Sequence, residues 1–218
     1  MKRLLLCCAL FVALSASAQT IGFGVHANMI NSKINAKLKE IAGVTPSTGQ
    51  LDVALDQVYG LGVGGGVHFD VGFSILSFRL SGDYITLSPD KDKFKSYVQM
   101  VIPGLPVQFV DGGRVDMISG NINAKLVIIP LPVVKPYLTG GGGLANVKAA
   151  DVTLSLGSIA LKPISILKNQ TVGTYNIGAG ADLVFGPVSV FGEIKVNWLM
   201  IQEGTSTMVP IITAGVTF

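Results

Sequence analysis

Ile118-Ser119-Gly120-Asn121-Ile122-Asn123-Ala124-Lys125-Leu126 alternates apolar or small residues with polar ones over nine positions. Successive side chains of a strand point to opposite faces, so this stretch has one apolar and one polar face. Ile118, Ile122, Ala124 and Leu126 share the first face, and Ser119, Asn121, Asn123 and Lys125 share the second. Nine residues suffice for a tilted strand to cross a bilayer, which needs about 9–11.

The same pattern recurs on both sides. Upstream, Ile21, Phe23, Val25, Ala27 and Met29 oppose Gly22, Gly24, His26 and Asn28. Next, Tyr59, Leu61, Val63, Val67 and Phe69 oppose Gly60, Gly62, Gly64, Gly66, His68 and Asp70. A third segment sets Leu76, Phe78, Leu80 and Tyr84 against Ser77, Arg79, Ser81 and Asp83. Downstream, a Gly-rich fifth segment around Tyr137 to Ala145 has no fixed facing. Tyr175, Ile177, Ala179, Ala181 and Leu183 then oppose Thr174, Asn176, Gly178, Gly180 and Asp182. Val188, Val190, Ile194, Val196 and Trp198 oppose Ser189, Glu193, Lys195 and Asn197. Last, Ile212, Ala214, Val216 and Phe218 oppose Val209, Ile211, Thr213 and Thr217, a strand apolar on both faces at its start.

Composition decides which face is wet. The chain is 49% hydrophobic and 13% charged, against about 25% charged in soluble domains. Its mature part nevertheless has no long apolar run; Leu126 to Val134 is short and broken by Pro130 and Pro132. A bilayer-crossing backbone forms helices or a closed barrel, so the expected fold is an all-β, antiparallel, up-and-down transmembrane barrel of about eight strands. A soluble ligand-binding barrel would face the other way, with large apolar residues inward and charges in water.

Residues 1–18 read as an export signal: Lys2 and Arg3, an apolar stretch Leu4 to Leu14, and an A-x-A site, Ala16-Ser17-Ala18. Cleavage between Ala18 and Gln19 leaves 19–218 as one barrel domain. Cys7 and Cys8 leave with the signal, which excludes disulfides, thiolate-bound metal and thiol catalysis in the mature chain. Of 16 basic residues, removal of Lys2 and Arg3 leaves 14 against 13 acidic ones, so nucleic acid is not an expected partner.

Short connections alternate with long ones. Tight turns are expected near Val71-Gly72-Phe73-Ser74, Ile129 to Pro136 and Phe185-Gly186-Pro187; long segments at 31–58, 88–116 and 146–173; and a moderate one near 202–207. Short periplasmic turns and long extracellular loops orient the barrel. Ten strands remain open if a long loop hides a hairpin. The long segments are unusually apolar, as in Tyr97 to Val107 and in Val152-Thr153-Leu154-Ser155-Leu156, continuing through Ile159, Leu161, Ile164, Ile166 and Leu167. In the first, Ile34, Leu38 and Ile41, then Leu51, Leu55 and Val58, fall at helical spacing. These loops either cap the barrel or enclose an apolar surface for a hydrophobic small molecule or a surface partner.

The signal, the eight strands and the terminal Ile212-Thr213-Ala214-Gly215-Val216-Thr217-Phe218 together resemble the small outer-membrane β-barrel superfamily of OmpA-like and OmpX-like proteins. Lys135-Pro136-Tyr137-Leu138-Thr139-Gly140-Gly141-Gly142 and Asn176-Ile177-Gly178-Ala179-Gly180-Ala181-Asp182 are similar to strand patterns of that superfamily. The resemblance implies outer-membrane lipid as surroundings and Phe218 as the signal read by barrel-assembly machinery. The chain reads as ending with its barrel, so no cell-wall anchoring role is implied.

Candidate chemistry lies on the polar face: His68, Asp70, Arg79, Asp83, Lys125, Asp182, Glu193 and Lys195. An eight-stranded interior is about filled by its own side chains, so these residues are expected to pair as a lumen network rather than line an ion path. His26 and His68 stand beside no evident nucleophile and no G-x-S-x-G elbow is present, so no catalytic residue is assigned. Separate histidines without a carboxylate cluster assign no metal, and Gly140 to Gly143 lacks the lysine of a phosphate loop; no cofactor is expected. The expected role is non-enzymatic, structural or in surface interaction. The alternative is a narrow conduit for small hydrophobic compounds, resembling the OmpW-like group.

Overall fold

The computed structural model describes residues 19–31, 35–38, 51–54, 59–73, 75–93, 95–96, 107–156, 159–160, 169–201 and 205–218. The export signal, and the loop residues Ile34, Ile41, Leu55, Val58, Tyr97 to Pro106 and Leu161 to Leu167, lie outside them. Strands dominate: β1 (Gln19–Asn31), β2 (Asn35–Leu38), β3 (Leu51–Ala54), β4 (Leu61–Phe73), β5 (Leu76–Leu87), β6 (Val107–Gly112) and β7 (Val115–Val127). Then come β8 (Val134–Ala149), β9 (Val152–Leu156), β10 (Ile159–Ala160), β11 (Gln170–Phe185), β12 (Val188–Ile201) and β13 (Thr205–Thr217).

Eight of these close into a barrel in the order β1-β13-β12-β11-β8-β7-β5-β4, every neighbour antiparallel. The other five form a β2–β3 hairpin and a β10-β9-β6 sheet outside the ring, so the long segments hold strands without enlarging the barrel. The helical reading of the first long segment is corrected: Asn35–Leu38 pairs with Leu51–Ala54 as a hairpin. Four-residue pieces are too short for period 3.6 to be distinguished from an extended pair. The turns are also tighter than expected, because Val71 to Phe73 belong to β4 and Val134 to Pro136 to β8. At Gly186-Pro187 the left-handed φ of 62° at Gly186 suits a two-residue hairpin with glycine first.

Facing follows the alternation. Ile122, Ile177 and Ile194 are 62%, 59% and 64% exposed, whereas their neighbours Asn121, Asn176 and Lys195 are buried. Tyr59 is a correction: it lies before β4, is buried, bridges to Pro89 and donates its hydroxyl to the Gly113 carbonyl at 2.5 Å, rather than facing lipid. Burial pushes its phenol up to about 12.

The seam between β1 and β13 pairs Gly24–Ile30 with Ile211–Thr217, and the Phe23 and Phe218 backbones exchange two further bonds of 2.8 and 3.1 Å. Phe218 is thus the last rung of the shortest barrel pairing. Deleting Phe218 should reduce the folded, heat-modifiable fraction on semi-native gels several-fold while leaving export intact. Wild-type yields of folded barrel would contradict this.

Candidate functional site in the barrel lumen

Every predicted lumen residue lies on the inner wall, where the eight fall into linked groups. Near the short-turn end, Asp70 and Arg79 are cross-strand partners, and Arg79 donates Nε and Nη2 to the two Asp70 oxygens, both at 2.8 Å. This planar, two-pronged pairing is the stronger form of a charge-assisted bond. The Arg79 guanidinium also lies 4.3 Å over the Phe191 ring and 4.0 Å from Glu193. Lys125 Nζ reaches Asp182 at 2.6 and 2.7 Å and sits 4.0 Å over the Tyr137 ring. Tyr137 donates to Glu193 at 3.1 Å, and Lys195 approaches the other Glu193 oxygen at 3.5 Å.

Asp83 anchors the middle tier through neutral or titratable donors: His26 Nε2 at 2.6 Å, Asn28 at 2.7 Å, Ser81 at 3.2 Å and Asn121 at 3.4 Å. His26 Nδ1 meets His68 Nδ1 at 3.2 Å, and His68 Nε2 meets the Thr217 hydroxyl at 2.9 Å. With both rings neutral, one donor order satisfies every contact, because a carboxylate only accepts. In that state Thr217 would donate to His68, His68 to His26, and His26 to Asp83. A hydroxyl therefore does stand beside His68, which the sequence did not reveal. Both rings are buried, with His68 1% exposed.

Room for the rings comes from glycines. A Cβ at Gly66 would lie 2.8 Å from His26 Nε2, and one at Gly24 would press on the His68 ring. Between Asp83 and Lys195 a cavity with room for about one water is lined by Asn28, Asn121, Asn176 and Asn197. The amide oxygens of Asn176 and Asn197 have no partner among the described residues, which suits an ordered water there.

At the long-loop end the lumen turns apolar. Ile30, Ile85, Leu87, Val115 and Met117 point inward and are buried. So are Val147, Val172, Leu199, Val209 and Ile211, from β8, β11, β12 and β13. These residues form an apolar tier beyond the polar interior, and they explain why the last strand reads as apolar on both faces. Tyr137 and Phe191 are lumen residues that pattern reading missed. Phe191 stands between Ser189 and Glu193 on the polar face, so parity alone could have found it.

Outside, the wall is apolar and ends near the long loops in Tyr84, with Tyr175 stacked on Trp198 at 5.0 Å. Aromatic residues at such a boundary are what a membrane–water interface selects. A polar, paired interior inside an apolar, edge-free wall defines a small transmembrane β-barrel of the outer-membrane type. Solved barrels of that type are similar in fold. Neisserial surface protein A is 17% identical, with 89% of this chain and 95% of that one covered at a TM-score of 0.43. Ail, the attachment invasion locus protein of Yersinia pestis, is 10% identical over 92% and 100%, at 0.43. The N-terminal barrel domain of Pseudomonas aeruginosa OprF is 13% identical over 92% and 100%, at 0.42. No protein-family model and no curated protein matches the chain.

Proposed function

We propose that the protein is a non-enzymatic, integral outer-membrane barrel that holds its long connections at the cell surface for envelope integrity or surface interaction. The observation that carries this reading is the filled lumen. Its charges are paired across the interior and the long-loop end is lined by buried apolar side chains. A scaffold needs rigidity, and a closed barrel with ion pairs across its interior supplies it. In this reading residues 1–18 are the export signal, with Gln19 the first mature residue. Outer-membrane lipid surrounds the wall, and the assembly machinery reads Phe218. The apolar tier weighs against the conduit alternative, because a permeant molecule would have to displace packed side chains.

The purified protein in planar bilayers should show no discrete conductance above that of the bare membrane. Stable ion-conducting steps, or a hydrophobic ligand retained through purification, would overturn the scaffold reading. A shift in the lipid profile that disappears with His26→Ala would overturn its non-enzymatic part.

A further inference from the structure

The β7–β8 turn, Ile128-Ile129-Pro130-Leu131-Pro132-Val133, lies at the short-turn end and contains no polar side chain. Ile128, Ile129, Leu131 and Val133 are each about half exposed. Pro130 and Pro132 are ordinary turn residues, but a turn in periplasmic water would be expected to carry Gly, Asn, Asp or Ser beside them. The nearest charges in the chain, Lys125 and Lys135, stand at lumen-facing register positions. We propose that this turn is a membrane anchor, seated in the boundary between headgroups and acyl chains of the periplasmic leaflet. The inference rests on the membrane reading of the barrel.

Two observations favour lipid as the occupant. The turn is continuous with the lipid-facing wall: Leu126 and Leu138 form a register pair just inside it, Val134 pairs with Leu183, and all four are exposed. Its backbone is also unusually poor in free donors. Pro130 and Pro132 carry no N–H, Ile128 N–H donates to the Pro136 carbonyl at 2.9 Å, and Leu131 N–H donates to Ile129 at 3.0 Å. The Val133 carbonyl is occupied by Val184 N–H at 2.8 Å. Irregular backbone is excluded from the hydrocarbon centre by unmet hydrogen bonds. With so few donors left open, this turn suits the interfacial layer, about 5–10 Å into the headgroup–acyl boundary. A protein partner would more often leave a polar rim around its apolar centre, and this turn has none.

The test uses the full-length protein in phosphatidylcholine vesicles brominated at defined acyl positions, with iodide present on both sides. Trp198, the single native tryptophan, reports the barrel wall. The variant Trp198→Phe with Leu131→Trp reports the turn, and Ile129→Trp in the same background replaces it if folding fails. The expected result is blue-shifted turn emission, most of it lost to bromines high on the chain, less to bromines near the chain end, and little to iodide. Red, iodide-quenched emission would put the turn in water and overturn the anchor. Blue emission insensitive to both quenchers, or dependent on protein density in the vesicle, would put a protein surface there and also overturn it. If native Trp198 itself escapes bromine, the membrane reading fails; if Trp198 is quenched and the turn is not, only the anchor fails.

Discussion

Arg79→Met is expected to lower the unfolding free energy by about 3–5 kcal/mol, the cost of leaving buried charge without its partner. The side chain makes both bonds to Asp70, lies over Phe191 and approaches Glu193. Glu193 keeps Tyr137 and Lys195 nearby, so the loss falls mainly on Asp70. The double variant Arg79→Met with Asp70→Leu removes that stranded carboxylate. Apolar replacement of a whole buried pair is often neutral or stabilising, so the double variant should regain most of what the single one loses. Urea unfolding in micelles, followed by Trp198 fluorescence, measures both. Arg114→Met is the control: Arg114 also holds a carboxylate, Asp116, at 2.9 Å, but with its side chain 54% exposed to solvent, and its midpoint should stay at the wild-type value. A single Arg79 variant as stable as wild type, or a double variant no better than the single, would show that the lumen charges are solvated in place.

The contrast between Arg79 and Arg114 bears on how much of this protein can be read from its chain. Alternation is legible wherever one face is polar, and it sorts the walls of β1, β7, β11 and β12 correctly through their middles. It fails at the long-loop end, where the lumen side itself is apolar. Ile85 and Leu87 in β5, and Val115 and Met117 in β7, point inward beside outward residues of varied polarity. With no period-2 contrast, pattern reading stops assigning faces at Tyr84 and Ile118. In β8 the failure has another cause: Gly140 to Gly143 have no side chains to alternate, so the parity that puts Tyr137 and Thr139 inward is lost. Pairing is not legible at all. Nothing local in the sequence says that Lys125 meets Asp182, 57 positions away, or that Thr217 reaches His68 across 149. Those contacts depend on closure and on strand register, both properties of the whole sheet.

Gly66 and Gly82 test that dependence most directly, because they sit on adjacent strands and differ in facing. Gly66 pairs with Asp83, and Gly82 pairs with Val67. A Cβ at Gly66 would press against the Gly82 carbonyl and lie 2.8 and 2.9 Å from two atoms of the His26 ring. The carbonyl is ladder backbone and the ring is held between Asp83 and His68, so neither can yield cheaply. A Cβ at Gly82 would meet nothing within 4 Å. Gly66→Val should therefore cost about 3 kcal/mol or more, at or beyond the upper end of core overpacking, and leave little heat-modifiable barrel. Gly82→Val adds a β-branched apolar side chain to the outer wall, so its effect should stay within about 1 kcal/mol and lean toward stabilisation. Urea midpoints for the two variants should separate in that order. Equal damage from both would mean that glycine is needed on these strands for curvature regardless of facing, whereas a tolerated Gly66→Val would mean that the histidine pair can move aside. The predicted asymmetry holds only if the lumen is packed around His26 and His68 and the outer wall is open to lipid, so one pair of valine substitutions tests both sides of the barrel wall.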